Sequence, residues 1–297
     1  MHADNLHITY DLVRGLIADQ FPQWSSLSLT RFPSAGTDNA IYRLGSDLCL
    51  RLPRRMASAH LVKKEVRWLP RLQNLPLRVP RPQGRGQSGS GYPANWGFFD
   101  WIEGVPATME GINQPCNAAT ALGQFITALQ KVNIADAPLS GDANHHRGVP
   151  LIQRDALTRR AIHGLRHVFD HTALIVAWEA TLSAPPWTGP PVWLHGDLQA
   201  GNLLAQDGVL TAVIDFGLMG AGDPACDLLT AWWYLPAKAR PAFRAAVGVD
   251  QATWNRGRGW ALSTAVIALD YYIDTNPTLA ATTRRALDQI LADPAGP

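Results

Sequence analysis

The stretch HGDLQAGNLL (residues 195–204), followed by VIDFG (residues 213–217), decides the fold of this chain. It places Asp197 five residues before Asn202 and sets Asp215 at the end of a short apolar run. Phosphoryl transfer needs a base that accepts a hydroxyl proton and oxygen ligands for the nucleotide's Mg²⁺. Asp197 can act as that base, and Asn202 and Asp215 can act as the ligands.

The residues between the two motifs predict a β-hairpin. Asn202-Leu203-Leu204-Ala205 and residues 209–215 are apolar stretches, and Gln206-Asp207-Gly208 joins them. Asp-Gly between two such runs is a preferred sequence for a tight turn. The hairpin is expected to carry Asn202 near the start of one strand and Asp215 at the end of the other, so that their oxygens share one cation. The alternative is that Asp197 and Asn202 only cap a turn and that Asp215 only starts a loop.

These two motifs resemble those of the aminoglycoside phosphotransferase family, which are small-molecule kinases with a protein-kinase-like fold. The resemblance implies that HGDLQAGN is the catalytic loop, with Asp197 as the base, and that IDFG is the metal-binding turn, with Asn202 and Asp215 as Mg²⁺ ligands. It also implies that Asp227 braces the catalytic loop through backbone hydrogen bonds. Protein kinases usually have arginine after the loop histidine, and Gly196 stands there in this chain.

The composition favours an enzyme of this kind over other classes of protein. The chain has 297 residues, 46% of them apolar, and no apolar run long enough to predict a transmembrane helix. The N-terminus does not have the pattern of a signal peptide. Three widely spaced cysteines predict neither disulfides nor a zinc site and favour a cytoplasmic location. A net charge of +2 gives no case for a nucleic-acid partner, and no membrane partner is expected.

The N-terminal third has the pattern of a small mixed domain. Apolar residues at helical spacing predict a helix over residues 8–20, and residues 27–32, 40–44 and 47–52 have the pattern of short strands. The loop between the first two strands contains Gly36 and Thr37. Such a loop can offer backbone N–H groups to nucleotide phosphates, but with a single glycine it is equally consistent with an ordinary hairpin connection.

Arg51 and Glu65 form the predicted phosphate-binding pair. In the kinase-like fold the third strand normally carries a lysine that pairs with a helical glutamate, and Arg51 stands at that position. Arginine can grip phosphate oxygens but is bulkier than lysine. Residues 59–72 have helical spacing as far as Pro70, with Glu65 in the middle. The alternatives are Lys63 or Lys64 as the phosphate-binding base, an exposed Arg51, and a surface Glu65 between lysines.

Residues 96–104 predict a buried strand that runs into a turn, and the resemblance implies that this segment links two lobes. Its backbone, near Phe99 and Trp101, would then bind the nucleotide base. We place the boundary here, with residues 1–101 as the nucleotide-binding lobe and residues 102–297 as the catalytic and acceptor-binding lobe. The expected fold class is α+β: a two-lobed protein-kinase-like fold with a small, mainly antiparallel β lobe and a larger, mainly helical C-terminal lobe.

The helical part supplies residues for an acceptor. A helix is predicted over residues 117–132 and a second helical region over residues 155–182. Asp270 and Tyr271 combine a carboxylate with an aromatic ring, which suits a cationic, hydroxyl-rich acceptor. The tyrosine could equally pack in the core. Asp223 is a further acceptor candidate, although a cap for the helix that begins near Pro224 is the favoured interpretation.

The sequence thus predicts a kinase that moves the γ-phosphoryl group of Mg²⁺-bound ATP or GTP to a hydroxyl of a small molecule. An aminoglycoside or related antibiotic is the expected acceptor, and another hydroxylated metabolite is the alternative. Two further hypotheses remain open: a nucleotide-binding regulator without catalysis, indicated by Arg51 in place of lysine, and a metal-dependent phosphohydrolase. The oligomeric state is not predicted.

Overall fold

A five-stranded antiparallel sheet dominates the first part of the chain. A computed structural model describes residues 5–33 and 38–293. The strands stand in the spatial order β1-β2-β3-β5-β4. Their bounds are β1 Leu29–Phe32, β2 Asn39–Leu44, β3 Leu48–Pro53, β4 Pro82–Gly86 and β5 Trp96–Asp100. Helix α1 is Tyr10–Gln20, and helix α2 is Ala59–Trp68.

The two faces of strand β3 pack against different helices. Leu50 and Leu52 lie in a buried cluster with Val13 and Leu16 of α1. Successive side chains of a strand alternate between faces, so Arg51 lies on the face opposite to these leucines. Helix α2 packs against the sheet at Gly97 of β5. A Cβ atom at this glycine would lie 3.0 Å from Val62 Cγ1 of α2, which leaves no room for a larger residue.

Two compact units divide the chain. The first comprises the residues up to Val105 together with Ala212–Gly217, and the second comprises Pro106–Thr211 together with the residues from Leu218 onward. The segment Ala212–Gly217 joins the first unit because the Val213 N–H donates to the Arg78 carbonyl at 2.9 Å.

The second unit is mainly helical. Its helices are α3 Pro115–Gln130, α4 Asp155–Gly164, α5 His171–Leu182, α6 Thr230–Trp233, α7 Arg240–Val247, α8 Gln251–Tyr272 and α9 Pro277–Ala292. The short strands that follow β5 in the chain are β6 Val105–Pro106, β7 Val192–Leu194, β8 Leu203–Gln206, β9 Val209–Val213 and β10 Gly220–Gly222. Helix α8 is buried on nearly all sides and packs against α4, α5 and α9. A helix covered in this way is the core around which the others pack.

The α+β class and its division into a small antiparallel β part and a larger helical part are confirmed. The helical region predicted over residues 155–182 is present and consists of two helices. Helix α4 ends at Gly164, and Asp170 starts α5 by accepting hydrogen bonds from the N–H groups of Thr172 and Ala173. Within the described residues, no helix is both long and apolar enough to cross a membrane.

Candidate active site

The predicted catalytic loop follows strand β7 and is held by Asp227. The buried carboxylate of Asp227 accepts the N–H of His195 at 2.7 Å and the N–H of Gly196 at 2.8 Å. Burial raises the pKa of Asp227, whereas His195 and the two backbone hydrogen bonds oppose that shift. The contact predicted for this aspartate is therefore present in the structure.

Gly196 meets a backbone requirement that other residues do not meet. Its φ is +83°, in the region that favours glycine, and a Cβ atom here would lie 2.5 Å from the carbonyl oxygen of Leu218. An arginine at this position would clash with that oxygen. The departure from the protein-kinase pattern at Gly196 thus has a local steric cause.

Asp197 has one carboxylate oxygen engaged and one open. Oδ2 accepts hydrogen bonds from Gln199 Nε2 at 3.0 Å and from Asn202 Nδ2 at 2.9 Å. No hydrogen bond from the described residues reaches Oδ1, and the side chain is 28% exposed. An aspartate fixed by two donors at one oxygen, with its other oxygen free of hydrogen bonds from the described residues, has an arrangement that suits a general base.

Asn202 is oriented by the same contacts. Its amide nitrogen donates to both the Oδ2 atom and the backbone carbonyl of Asp197, the latter at 2.8 Å. Since the nitrogen makes both bonds, the amide oxygen is the atom that can bind a cation. Asn202 directly precedes β8, and Asp207 and Gly208 form the turn to β9 with φ values of +50° and +75°. These angles are typical of the two-residue hairpin turn that the sequence predicts.

In the first unit, Arg51 lies between two carboxylates. Its Nη1 atom is 2.6 Å from Glu65 Oε1, and its Nη2 atom is 2.6 Å from Asp215 Oδ1. The same Glu65 oxygen accepts the Phe216 N–H at 2.9 Å. Arg51 is 7% exposed and Glu65 is fully buried, so the alternatives of an exposed arginine and a surface glutamate are both wrong. Lys63 is exposed, and Lys64 is buried.

Burial dominates the electrostatics of this cluster. It raises the pKa of Glu65 to about 7, with Arg51 opposing the shift and Asp215 adding to it. For Arg51, burial acts to lower the pKa, but the carboxylates of Asp215 and Glu65 outweigh it and raise the pKa. The guanidinium is therefore permanently charged and holds helix α2 to the Asp-Phe-Gly turn. Asp215 has a φ of +63°, a left-handed conformation that aspartate adopts more readily than most residues.

The other residues predicted to bind the nucleotide differ in their surroundings, and two of them lie outside the described part of the chain. Gly36 and Thr37 lie outside the described residues. Phe99 is buried, with its ring centroid 5.7 Å from the Arg51 guanidinium. The Trp101 N–H donates to the Asp47 carbonyl, and the Trp101 ring contacts Phe32 edge-on at 5.3 Å between centroids. The backbone N–H of Trp101 could bind a nucleotide base only if its hydrogen bond to the Asp47 carbonyl opened.

A family model described as a phosphotransferase enzyme family matches residues 29–260, which is more than half of the chain. The chain belongs to this phosphotransferase family. A search of curated proteins finds no match.

Solved structures with the same two-lobed, kinase-like fold include three phosphotransferases. The GDP complex of aminoglycoside 2′-phosphotransferase-IIIa is 18% identical with a TM-score of 0.74, covering 94% of this chain and 97% of that chain. The streptomycin and ATP complex of APH(2″)-IIa is 18% identical with a TM-score of 0.61, covering 98% of each chain. The macrolide 2′-phosphotransferase MphH from Brachybacterium faecium is 22% identical with a TM-score of 0.60, covering 95% and 98%. These likenesses confirm the predicted fold.

In this phosphotransferase, the acceptor candidates differ in their surroundings. Asp223 is buried, accepts the Ala225 N–H at 2.9 Å and forms an ion pair with Arg256 at 2.8 Å. These contacts favour the helix-cap interpretation over contact with an acceptor. Asp270 lies at the surface against Gly164 of α4. Tyr271 is 57% exposed, so the interpretation of this tyrosine as a core residue is wrong.

Arg147 is the residue beside the site that the sequence analysis missed. Its Nη2 atom lies 3.9 Å from Asp197 Oδ1, and its Nη1 atom donates to Thr264 Oγ1 at 2.6 Å. Arg147 stands fifty residues before Asp197 in the sequence and Thr264 stands in α8, in segments that carry no motif. No local signal in the sequence connects either residue to Asp197.

Proposed function

We propose that this chain transfers the γ-phosphoryl group of Mg²⁺-bound ATP or GTP to a hydroxyl group of a small molecule. The observation that carries the proposal is Asp197, whose Oδ2 atom is held by two amide donors while Oδ1 is left open. In this reaction the acceptor oxygen forms a bond to the γ-phosphorus, the bond from phosphorus to the bridging oxygen breaks, and the hydroxyl proton passes to Asp197 Oδ1.

Asn202 and Asp215 are the proposed Mg²⁺ ligands. One side chain offers an amide oxygen and the other a carboxylate, and both are ligand types that Mg²⁺ prefers. When bound, the metal would neutralise charge on the nucleotide phosphates. The ion pair of Arg51 with Asp215 keeps that carboxylate oriented, and the pair with Glu65 keeps the guanidinium oriented.

Each part of the chain has a proposed role. Residues 1–101 would bind the nucleotide, with Arg51 and Glu65 as the phosphate-binding pair and with Gly36, Thr37, Phe99 and Trp101 near the nucleotide. Residues 102–297 would carry catalysis and bind the acceptor, with Asp270 and Tyr271 as its surface contacts. The reaction is proposed to occur in the cytoplasm, which the free thiols of the three cysteines support.

The proposed acceptor is an aminoglycoside or a related hydroxylated antibiotic. Proteins of similar fold include aminoglycoside and macrolide phosphotransferases. Two aminoglycoside enzymes among them were solved with GDP or with ATP. Another hydroxylated metabolite is the second candidate. The exposed ring of Tyr271 beside the surface carboxylate of Asp270 supports a cationic molecule with a hydrophobic face.

A nucleotide-consumption assay tests the proposal. The protein is incubated with Mg²⁺, with ATP or GTP, and with a panel of aminoglycosides, macrolides and hydroxylated metabolites. Formation of ADP or GDP that depends on one acceptor, with a matching mass increase of that acceptor, supports the kinase. Nucleotide binding without any turnover would support a regulator instead. Rapid release of inorganic phosphate that no acceptor increases would support a phosphohydrolase.

A further inference from the structure

The loop that carries Arg147 is held in a strained conformation. His145 and His146 have φ values of +51° and +57°, and Gly148 has a φ of +86°. Left-handed conformations of residues other than glycine cost about 1 to 3 kcal/mol each and persist where surrounding contacts impose them. Such conformations concentrate at functional sites. The strained residues directly precede Arg147, which makes Arg147 a candidate functional residue.

Hydrogen bonds among residues 141–147 stabilise this loop. Asn144 Oδ1 accepts the Gly141 N–H at 2.9 Å, and Asn144 Nδ2 donates to the Arg147 carbonyl at 2.9 Å. His146 Nε2 lies 2.9 Å from Asp142 Oδ1. Because the backbone on both sides of Arg147 is clamped, the direction of its side chain is determined by the fold.

The guanidinium of Arg147 is anchored at one nitrogen, forms a long ion pair through a second and makes no hydrogen bond to a described residue through the third. Nη1 donates to Thr264 Oγ1, whereas Nε is buried without a hydrogen-bond partner among the described residues. Nη2 is 3.9 Å from Asp197 Oδ1, which is too long for a hydrogen bond. The side chain is 13% exposed. A buried guanidinium with spare donors is a binding site for an oxygen-bearing group.

The position of Asp197 Oδ1 indicates which group that is. This is the oxygen free to accept the proton of the acceptor hydroxyl, and the hydroxyl oxygen would stand about 2.7 Å from it. Nη2 is 3.9 Å from the same atom. An oxygen attached one or two bonds beyond the reacting hydroxyl can then come within hydrogen-bond reach of Nη2. On phosphoryl transfer, such oxygens carry negative charge.

A second buried arginine, Arg154, lies close to Arg147. Burial and the neighbouring Arg147 lower the pKa of Arg154 to about 10. Arg154 is buried, donates to Ser263 Oγ at 2.9 Å and has no ion pair with a described carboxylate. The nearby buried carboxylate of Asp227 already accepts two backbone N–H groups. Arg147, which lies beside Asp197 Oδ1, thus has a second buried guanidinium as its neighbour, and this pair of positive charges favours an additional anion.

We propose that Arg147, anchored by Thr264, binds an oxyanion beside Asp197 and is a further catalytic residue of this phosphotransferase. The assignment rests on the proposed function, because the oxyanion is defined by its distance from the base. It has two potential sources with the same chemistry: the phosphoryl group in transfer, or an anionic group of the acceptor next to the reacting hydroxyl.

Kinetics of Arg147→Ala and Arg147→Lys test this proposal and separate the two sources. The first arm measures hydrolysis of Mg²⁺-ATP and Mg²⁺-GTP with water as the only acceptor. A fall in kcat of about 100-fold for Arg147→Ala, at an unchanged nucleotide KM, assigns the oxyanion to the phosphoryl group. The second arm uses the acceptor found in the panel. A rise in acceptor KM of at least tenfold, with hydrolysis in water unchanged, assigns the oxyanion to the acceptor.

Several controls distinguish catalysis from folding. Arg160→Ala removes an exposed arginine of α4 and should leave both arms unchanged. Thr264→Val removes only the anchor and should give a smaller loss than Arg147→Ala. Arg147→Lys should recover part of the rate, and millimolar guanidinium ion should restore part of the activity of Arg147→Ala, which a purely structural role would not allow.

Two kinds of result would overturn the assignment of Arg147. If both arms change less than threefold in Arg147→Ala, or if every kinetic loss matches a loss of folded protein in thermal melts, the proposal is overturned. A wild-type protein that binds nucleotide but turns over none, with water or any acceptor, contradicts the proposed function itself and overturns this assignment with it. Turnover by the wild-type protein therefore distinguishes failure of the Arg147 assignment alone from failure of the proposed function.

Discussion

The Glu65 carboxylate accepts a hydrogen bond from the Phe216 N–H at 2.9 Å, joining helix α2 to the backbone of the Asp-Phe-Gly turn. The same oxygen pairs with Arg51. One fully buried carboxylate therefore holds both the proposed phosphate-binding arginine and the turn that carries the proposed metal ligand.

Replacing Glu65 by alanine should destabilise the protein strongly. The variant leaves the buried Arg51 with one carboxylate partner, Asp215, and leaves the Phe216 N–H without its acceptor. Loss of a partner from a buried ion pair costs up to about 3 to 5 kcal/mol. The matched control is Glu103→Ala, which breaks the surface pair with Arg43 and should cost less than about 1 kcal/mol. Urea unfolding measures both variants. Equal losses in the two would contradict the role assigned to Glu65.

Asp197→Asn should keep nucleotide affinity and lose turnover. Loss of a general base reduces the rate by about 100-fold to 10,000-fold, or roughly 3 to 5 kcal/mol of barrier. Steady-state kinetics at saturating Mg²⁺-nucleotide give the rate, and equilibrium binding gives the affinity. Asp207→Asn is the control, because this exposed turn residue has a φ of +50° that asparagine tolerates. Full activity of Asp197→Asn would show that another group is the base.

Asp215→Asn should raise the Mg²⁺ concentration needed for half-maximal turnover by about tenfold, which corresponds to about 1.4 kcal/mol. Asparagine tolerates the φ of +63° at this position, so the variant removes charge while sparing the backbone. Chelation of Mg²⁺ should abolish turnover of the wild type. A Mg²⁺ titration that is the same for both proteins would exclude Asp215 as a ligand.

Asp227→Asn should loosen the catalytic loop. An amide offers only one oxygen, so one of the N–H groups of His195 and Gly196 loses its buried acceptor, at about 1 to 3 kcal/mol. We expect a lower melting temperature and a lower kcat, with a smaller change in nucleotide affinity. A variant with wild-type melting temperature and kcat would show that the brace is dispensable.

Lys64 should make stability depend on pH. Burial lowers its pKa to about 8 in the folded protein, with Glu65 opposing the shift, and the pKa in the unfolded chain is near 10.4. Between these values the unfolded chain binds more protons, so this contribution to stability rises with pH and is smallest below pH 8. The rise should be about 2 kcal/mol between pH 7.5 and 9.5.

Urea unfolding of Lys64→Met, compared with the wild type at each pH, isolates this contribution because other titrating groups cancel. The difference in unfolding free energy should shrink as pH rises. Lys63→Met is the control, since its side chain is exposed and should show no such trend. A pH-independent difference for Lys64→Met would mean that the lysine is not destabilised by burial.

Local signals account for most of what the sequence predicted. The Asp207-Gly208 turn, the strand with Arg51 and the helix with Glu65 depend on residue spacing or on neighbours in the chain, and all three are present. Alternation placed Arg51 opposite to Leu50 but could not show that α2 covers that face. The burial of Arg51 and Glu65 therefore needed the structure.

Contacts between distant segments could not be predicted. Arg147 and Thr264 are 117 residues apart, and neither belongs to a periodic or motif-like stretch that points to Asp197. The helical region over residues 155–182 was predicted without its internal division into α4 and α5. The local signal for that division is Asp170, which caps α5.

Ala212–Gly217 belongs to the first unit, although the ribosome adds it long after Val105. Domains commonly fold as they leave the ribosome, N-terminal part first. Here the nascent first unit must wait for more than a hundred further residues before Phe216 reaches Glu65. Until then the buried carboxylate of α2 lacks one of its partners, and a gene truncated after Val105 would encode a unit that never obtains it.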